Sequence, residues 1–309
     1  MYIQGTKEIV PEVREVIGRY LQYRQTSGAA VSSIKTFSTR LFLFERYLRA
    51  AKIEALDTIR KIDVEDFLYR MATDLNENRS YPGNYIRTVF FTMRNFFSFL
   101  VKTRQIVKSP AINVVPPKAI KIMRDNYFGL EEINEFFNSL PDKKWRDRRN
   151  KLMIELAYCA GLRLNEVRWV RRKDVNLESR TLYVAHAKGG EGSTVPLCVY
   201  IARRLADVPP DVDFIFTNSR GGMLSMDAVM DAFTTALTRF GTNRHLSFHS
   251  LRKSIGKHLL ESGLSVRYVQ VFLRHRSINT TESYTHIGMH HLKKAVLKYH
   301  PAEQYAPLY

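Results

Sequence analysis

Ser109-Pro110-Ala111-Ile112-Asn113-Val114-Val115-Pro116-Pro117-Lys118 divides this chain into two parts of different character. Its three prolines remove backbone donors and oppose helix, and no apolar period runs through it. It reads as an extended linker that continues past Lys118 through Lys121 and Arg124. Upstream the pattern is helical. Ile34, Phe37, Leu41, Phe44 and Leu48 recur at three- and four-residue spacing, as do Ile86, Val89, Phe90, Met93, Phe96, Phe97 and Leu100. Asp63 before Val64-Glu65-Asp66-Phe67 reads as an N-cap with an acidic first turn. With Glu12 to Tyr23 these stretches predict four helices. The aromatic residues follow the helical period, which favours core over a base-stacking platform.

Downstream the pattern is mixed. Helix resumes at Leu130-Glu131-Glu132-Ile133, and Met153 to Val170 reads as helix interrupted at Gly161. Thr181 to Ala185 and Ser193 to Leu197 read as strands, and Gly189-Gly190-Glu191-Gly192 between them as a hairpin turn. Phe214-Ile215-Phe216 is a candidate third strand. From Ser225 onward the pattern is helical, with breaks at Gly241, Gly263 and Ser277. The expected fold is therefore mainly α with a small β-sheet. The expected organisation is a helical domain over 1–118, an extended basic linker over 119–126 and a mixed domain over 127–309.

Composition narrows the partner. The 309 residues suffice for two ordinary domains, and 45% apolar with 25% charged residues excludes disordered and fibrous classes. Lysine and arginine outnumber aspartate and glutamate by 48 to 30, which points to a polyanion. The surplus is not a tail: residues 1–126 carry 21 basic and 12 acidic side chains, and residues 127–309 carry 27 and 18. Two basic domains joined by a basic linker suggest a clamp around a nucleic-acid duplex. No amphipathic anchor is visible, so a membrane surface is the weaker alternative. The richest apolar run, Val89 to Val101, contains Arg94 and Asn95 and falls short of the ~20 residues of a membrane span. Lys7 and Glu8 stand where a signal peptide would be apolar. Cys159 and Cys198 are far apart in no metal-ligand spacing, and read as buried reduced thiols of a cytoplasmic protein.

Moving a phosphoryl group without a metal needs cations on the nonbridging oxygens, an in-line nucleophile and a general acid for the leaving oxygen. The second part supplies these residue types. Arg163 follows the Gly161 break, with Glu166 three residues on. Lys188 opens the hairpin turn. His249 and Arg252 share a helical face. His275 lies in Leu273-Arg274-His275-Arg276, and Tyr284 in Ser283-Tyr284-Thr285-His286. Asp207, Asp211 and Asp213 flank Pro209-Pro210 and read as loop acids rather than metal ligands.

This constellation resembles the tyrosine recombinase (phage-integrase) family, most closely its Xer branch. The matching residues run in family order: Gly161-Leu162-Arg163 with Glu166, Lys188 with Pro196 eight residues on, His249 with Arg252, His275, and Tyr284. After the tyrosine, Thr285-His286, Leu292 and His300-Pro301 follow the Xer pattern. Two positions depart from it. The residue before the second histidine is Arg274 rather than glycine, and the residue after the second arginine is Lys253 rather than histidine. Arg274 is expected to alter the backbone beside His275 or to add a phosphate contact.

The resemblance implies a helical SAM-like core-binding domain and an α+β catalytic domain. It implies site-specific recombination: Tyr284 forms a 3′-phosphotyrosine, Arg163, Arg252 and His275 stabilise the phosphate, Lys188 protonates the leaving 5′-oxygen, and His249 orients the phosphate. Glu166 orients Arg163, and His286 is structural. No cofactor and no metal is implied. The partners implied are double-stranded DNA with an inverted-repeat core site, further copies in a tetramer on two sites, and a related recombinase or accessory DNA-bending protein. A type IB-like topoisomerase, a telomere resolvase and a non-catalytic DNA-binding relative are the alternatives; the intact set of six catalytic types argues against the last. Leu292, Val296 and Tyr299 form an apolar stripe, which the resemblance assigns to exchange with a neighbouring subunit.

Overall fold

A computed structural model describes residues 13–53, 55–73, 80–118, 126–185, 192–274 and 288–304. The chain forms two units, Met1–Met123 and Arg124–Tyr309. The first holds α1 (Val13–Thr26), α2 (Val31–Ala50), α3 (Lys61–Thr73) and α4 (Gly83–Lys102). Its centre is α4, which buries all seven apolar residues of its expected face, from Ile86 to Leu100. On α2, Leu41, Phe44 and Leu48 are buried, while Ile34 and Phe37 toward its start are half-buried. Aromatic rings lock the helices together: Tyr20 meets Phe96 edge-on at 5.5 Å, and Phe44 meets Phe97 at 5.8 Å. These rings are core, as their period implied.

Two expectations need correction in this unit. Asp63 is not the N-cap of α3. The helix begins two residues earlier, at Lys61, and Asp63 Oδ2 accepts the Arg60 N–H at 2.8 Å. The carboxylate thus reaches back from the first turn, as the third residue of a capping box does. Nor is Ser109–Lys118 simply extended. Residues 110–113 form a turn, with Asn113 at φ +59, and Ala111 and Val114 join the core of the first unit. Burial of those two side chains holds this stretch against the helices. Residues 119–125 of the expected linker lie outside the described residues.

The second unit is organised around α6 (Trp145–Cys159), whose residues from Leu152 to Cys159 are buried on every side. Before it stands α5 (Leu130–Ser139) and after it the five-residue α7 (Leu164–Arg168). A three-stranded antiparallel sheet follows: β1 (Val175–Asn176), β2 (Thr181–Val184) and β3 (Ser193–Pro196), in that spatial order. The expected hairpin pairs Leu182 with Val195. The third strand, however, is β1, with Val175 opposite Leu182. Phe214 makes a single bridge to Arg171, and Ile215 N–H reaches Val170 O at 3.1 Å. Pairing stops there because Arg172–Asp174 turns into a 3-10 helix.

The remaining helices are α8 (Val199–Ala206), α9 (Met226–Phe240), α10 (Phe248–Glu261), α11 (Val266–Phe272), α12 (Met289–Tyr299) and α13 (Pro301–Gln304). Ser225 caps α9, its side chain accepting the Ala228 N–H at 3.0 Å, and left-handed Gly241 ends it. α10 packs on α6, and α12 lies against β3 and α11. Leu292 and Val296 of α12 are buried in the core of their own unit. In the single chain that stripe packs against its own unit. Glu303 of α13 fastens the tail, accepting the Val199 N–H at 2.9 Å and Arg180 Nη1 at 3.2 Å. No described helix is long and apolar enough to cross a membrane.

Candidate active site

The site is built at the join between α6 and α7. Gly161 has φ +55, and a Cβ there would meet Leu273 Cδ2 at 2.7 Å, so both backbone and packing demand glycine. This sharp turn delivers Arg163 as the N-cap of α7. Glu166, three residues on, accepts the Arg163 backbone N–H at 2.9 Å through Oε2 and Arg163 Nη1 at 2.6 Å through Oε1. Burial opposes ionisation of Glu166. The Arg274 charge and the hydrogen bonds from Arg163 and Arg274 outweigh it, and hold the carboxyl below the usual carboxylate range.

Helix α10 brings the next residues. Arg252 is 1% exposed, and its guanidinium spans two turns of chain: Nη1 donates to Gly161 O at 2.6 Å and Nη2 donates to Leu273 O. Nη1 also stands 3.8 Å from Glu166 Oε2. Burial, together with the Arg163 and Arg274 charges, pushes the Arg252 guanidinium down to about 9. His249 lies one turn earlier on the same helix and is exposed. The structure therefore joins Arg163, Arg252 and Glu166 in one cluster and sets His249 at the mouth of α10. Lys188, His275 and Tyr284 lie outside the described residues, as does His286.

The cluster contains one residue that the sequence marked only as a departure. Arg274 Nη2 donates to Glu166 Oε2 at 2.7 Å. Its side chain is 6% exposed and turned inward onto that carboxylate. Lys253, the other departure, points elsewhere and donates to Asn126 Oδ1 at 2.7 Å.

Three further residues are closer in space than in sequence. One ligand atom each of Cys159, Cys198 and His300 lie within 4.8 Å of one another, fully enclosed. Both cysteines are free thiols, and burial holds the Cys159 thiol far above its ordinary range. The imidazole is committed elsewhere. His300 Nδ1 accepts the Ala302 N–H at 3.1 Å, which leaves Nε2 to donate to Cys159 O at 2.9 Å. With both ring nitrogens bonded to backbone, the trio is packing rather than a ligand set. The Asp207, Asp211 and Asp213 carboxylates form no such cluster among the described residues.

Comparison with known proteins agrees with this geometry. Residues 127–291 match the sequence profile of the phage integrase family. The chain is 27% identical over 298 residues to the tyrosine recombinase XerC of Oceanobacillus iheyensis, covering 92% of this chain and 95% of that protein. It is 31% identical over 217 residues to XerC of Mannheimia succiniciproducens, covering 68% and 72%. Among solved structures, XerH site-specific recombinase bound to palindromic difH substrate superimposes with a TM-score of 0.71 at 20% identity, covering 92% of this chain and 94% of that one. A lambda integrase tetramer bound to a Holliday junction also gives 0.71, at 16% identity, covering 93% and 86%. At those identities the structures establish the shared fold.

Proposed function

The chain belongs to the phage integrase family, and on that premise we propose that it cleaves and rejoins DNA strands at a specific site through a 3′-phosphotyrosine on Tyr284. The observation that carries the reading is the convergence of Arg163 and Arg252 on Glu166, with His249 one turn before Arg252. Two guanidiniums held in fixed orientation are what a phosphodiester entering a trigonal-bipyramidal transition state requires.

In this reaction Tyr284 Oη attacks the scissile phosphorus, a new P–O bond forms and the bond to the 5′-oxygen breaks. Arg163, Arg252 and His275 stabilise the charge on the nonbridging oxygens. Lys188 protonates the departing 5′-oxygen, and His249 orients the phosphate and assists proton transfer. A 5′-hydroxyl of a second strand then attacks the phosphotyrosine and releases Tyr284. One phosphoester replaces another of similar energy, so the exchange runs without a nucleotide cofactor. The first unit serves as the core-binding domain and the second as the catalytic domain, closing on double-stranded DNA with an inverted-repeat core site. Four copies act on two sites, which the lambda integrase tetramer on a Holliday junction supports by name and fold, while XerH bound to its difH substrate supports the DNA partner. A related recombinase or a DNA-bending protein completes the assembly where one copy per half-site does not suffice.

The test uses the full chain and a library of nicked suicide duplexes with randomised arms. The expected result is a protein–DNA adduct stable to denaturant, absent in Tyr284→Phe while DNA binding persists. An adduct that survives in Tyr284→Phe removes the tyrosine from its role.

A further inference from the structure

Arg274 follows the end of α11 with φ +53, a left-handed conformation that costs a non-glycine residue about 1 kcal/mol. A side chain placed there for solubility would point outward. This one folds inward. Nη1 donates to Phe272 O at 3.0 Å, and Nη2 is shared between Gly161 O at 3.1 Å and Glu166 Oε2 at 2.7 Å. Nε is buried without a partner. The strain and the lone donor are accepted for one arrangement, in which a third guanidinium sits against the carboxylate of the site.

That arrangement has three consequences. Arg274 occupies the Glu166 oxygen that Arg252 would otherwise take; Arg252 stands 3.8 Å away and bonds backbone carbonyls instead. The left-handed turn also aims Arg274 O at Arg163 Nη2, 3.3 Å away, so Arg163 is held from two sides. Finally, three guanidiniums now share one carboxylate, which among the described residues leaves two positive charges unbalanced. Arg252 and Arg274 are buried, whereas the Arg163 side chain is 26% exposed and presents that field to the outside.

We propose that Arg274 is a positioning residue for the reacting phosphate: it neutralises Glu166 in place of Arg252, fixes Arg163 through its carbonyl, and raises the anion affinity of a pocket in which it does not touch the anion. The proposal rests on the reading of this cluster as a phosphate site. The repulsion it implies is visible in Arg252, whose proton is held less tightly because of burial and the Arg163 and Arg274 charges.

The test is a phosphorus-31 NMR titration of the full-length chain with inorganic phosphate, at a temperature well below the melting point of every variant. Arg274→Gly keeps the left-handed turn at no steric cost and removes the charge, and Arg274→Gln removes the charge while keeping a polar side chain. If the glycine variant fails to fold, the glutamine variant carries the test. Each is expected to bind phosphate roughly tenfold more weakly, the scale set by one unit charge at about 10 Å in a partly screened site. Arg274→Lys is expected to stay within about threefold of the parent. A purely structural tie would lower the melting temperature and leave the phosphate affinity unchanged in the folded variants; that result overturns the proposal, as does a lysine variant no better than glutamine. Arg163→Ala separates the two readings. If it abolishes phosphate binding and the Arg274 variants do not weaken it, only the role of Arg274 fails. If Arg163→Ala binds phosphate normally, the anion sits elsewhere, and both the phosphate pocket and the role of Arg274 are lost.

Discussion

Among the described residues Glu166 is the one negative group that meets the three guanidiniums, and it is 3% exposed. The substitution Glu166→Gln leaves those cations without a counter-charge. The expected loss is about 3–5 kcal/mol of unfolding free energy, read from urea denaturation, since breaking a buried pair strands its partner. A surface-like loss below about 1 kcal/mol would mean the cluster relaxes into water. Gly161→Ala tests the turn itself. It forces a Cβ into the left-handed region and against Leu273 Cδ2, and should cost about 2 kcal/mol or more. The pair His249 with Arg252 was legible in the sequence because three-residue spacing fixes a shared helical face, and Glu166 was legible as the acid three residues after Arg163, which proves to be N3 to its N-cap. Their meeting was not. Arg252 reaches the site by bonding Gly161 O and Leu273 O, and those carbonyls are in place only once α10, α11 and the α6–α7 turn have packed. The inward course of Arg274 depends on a backbone dihedral that no spacing reveals.

At the level of elements, apolar period identified the helices and missed what short-range hydrogen bonding decides. The two-residue β1 carries too little sequence to show a period, and it exists because Val175 pairs with Leu182. Asp63 could cap from either side of a helix start, and tertiary packing chose the inner position. The cover supplied by α12 is open to measurement. Leu292→Ala should cost about 2–5 kcal/mol, because Leu292 is buried in cis beside Val296. Deleting residues 288–309 should lower the melting temperature of the second unit, followed by circular dichroism; an unchanged melt would return the stripe to a neighbour. The join of α12 to α13 adds a pH dependence. Burial holds the His300 imidazole down to about 4, and burial also lowers His258. Above the ordinary histidine range both states are neutral and the stability is complete. As pH falls from about 6.5 toward 4, the unfolded chain protonates His300 while the folded chain does not, so stability falls by up to ~1.4 kcal/mol per pH unit through that residue, and the lowered His258 acts in the same direction. Urea midpoints at pH 7, 5.5 and 4.5 read this slope, which His300→Gln should reduce.

Over the whole molecule the surplus charge is even: nine positive charges in residues 1–126 and nine in 127–309. If both units meet the duplex, many phosphates are neutralised at once and many counterions leave. With about eight phosphates neutralised, log K against log salt should fall with a slope of roughly −7. Fluorescence anisotropy of the full chain on a duplex of arbitrary sequence, across a salt series, measures it, because phosphate binding does not depend on sequence. The first unit can be addressed separately. Arg87 and Arg94 both stack on Phe91 along α4, which leaves two guanidiniums on one side of that helix. Changing both to glutamine should flatten the slope by up to about 2 if that side faces the backbone, since each neutralised phosphate accounts for close to one unit of slope. An unchanged slope in that variant would take this side of α4 off the DNA. A parent slope near −1 would correspond to about one neutralised phosphate, too few for two basic units acting together. The clamp would then have to be abandoned for a chain that grips DNA through one unit alone.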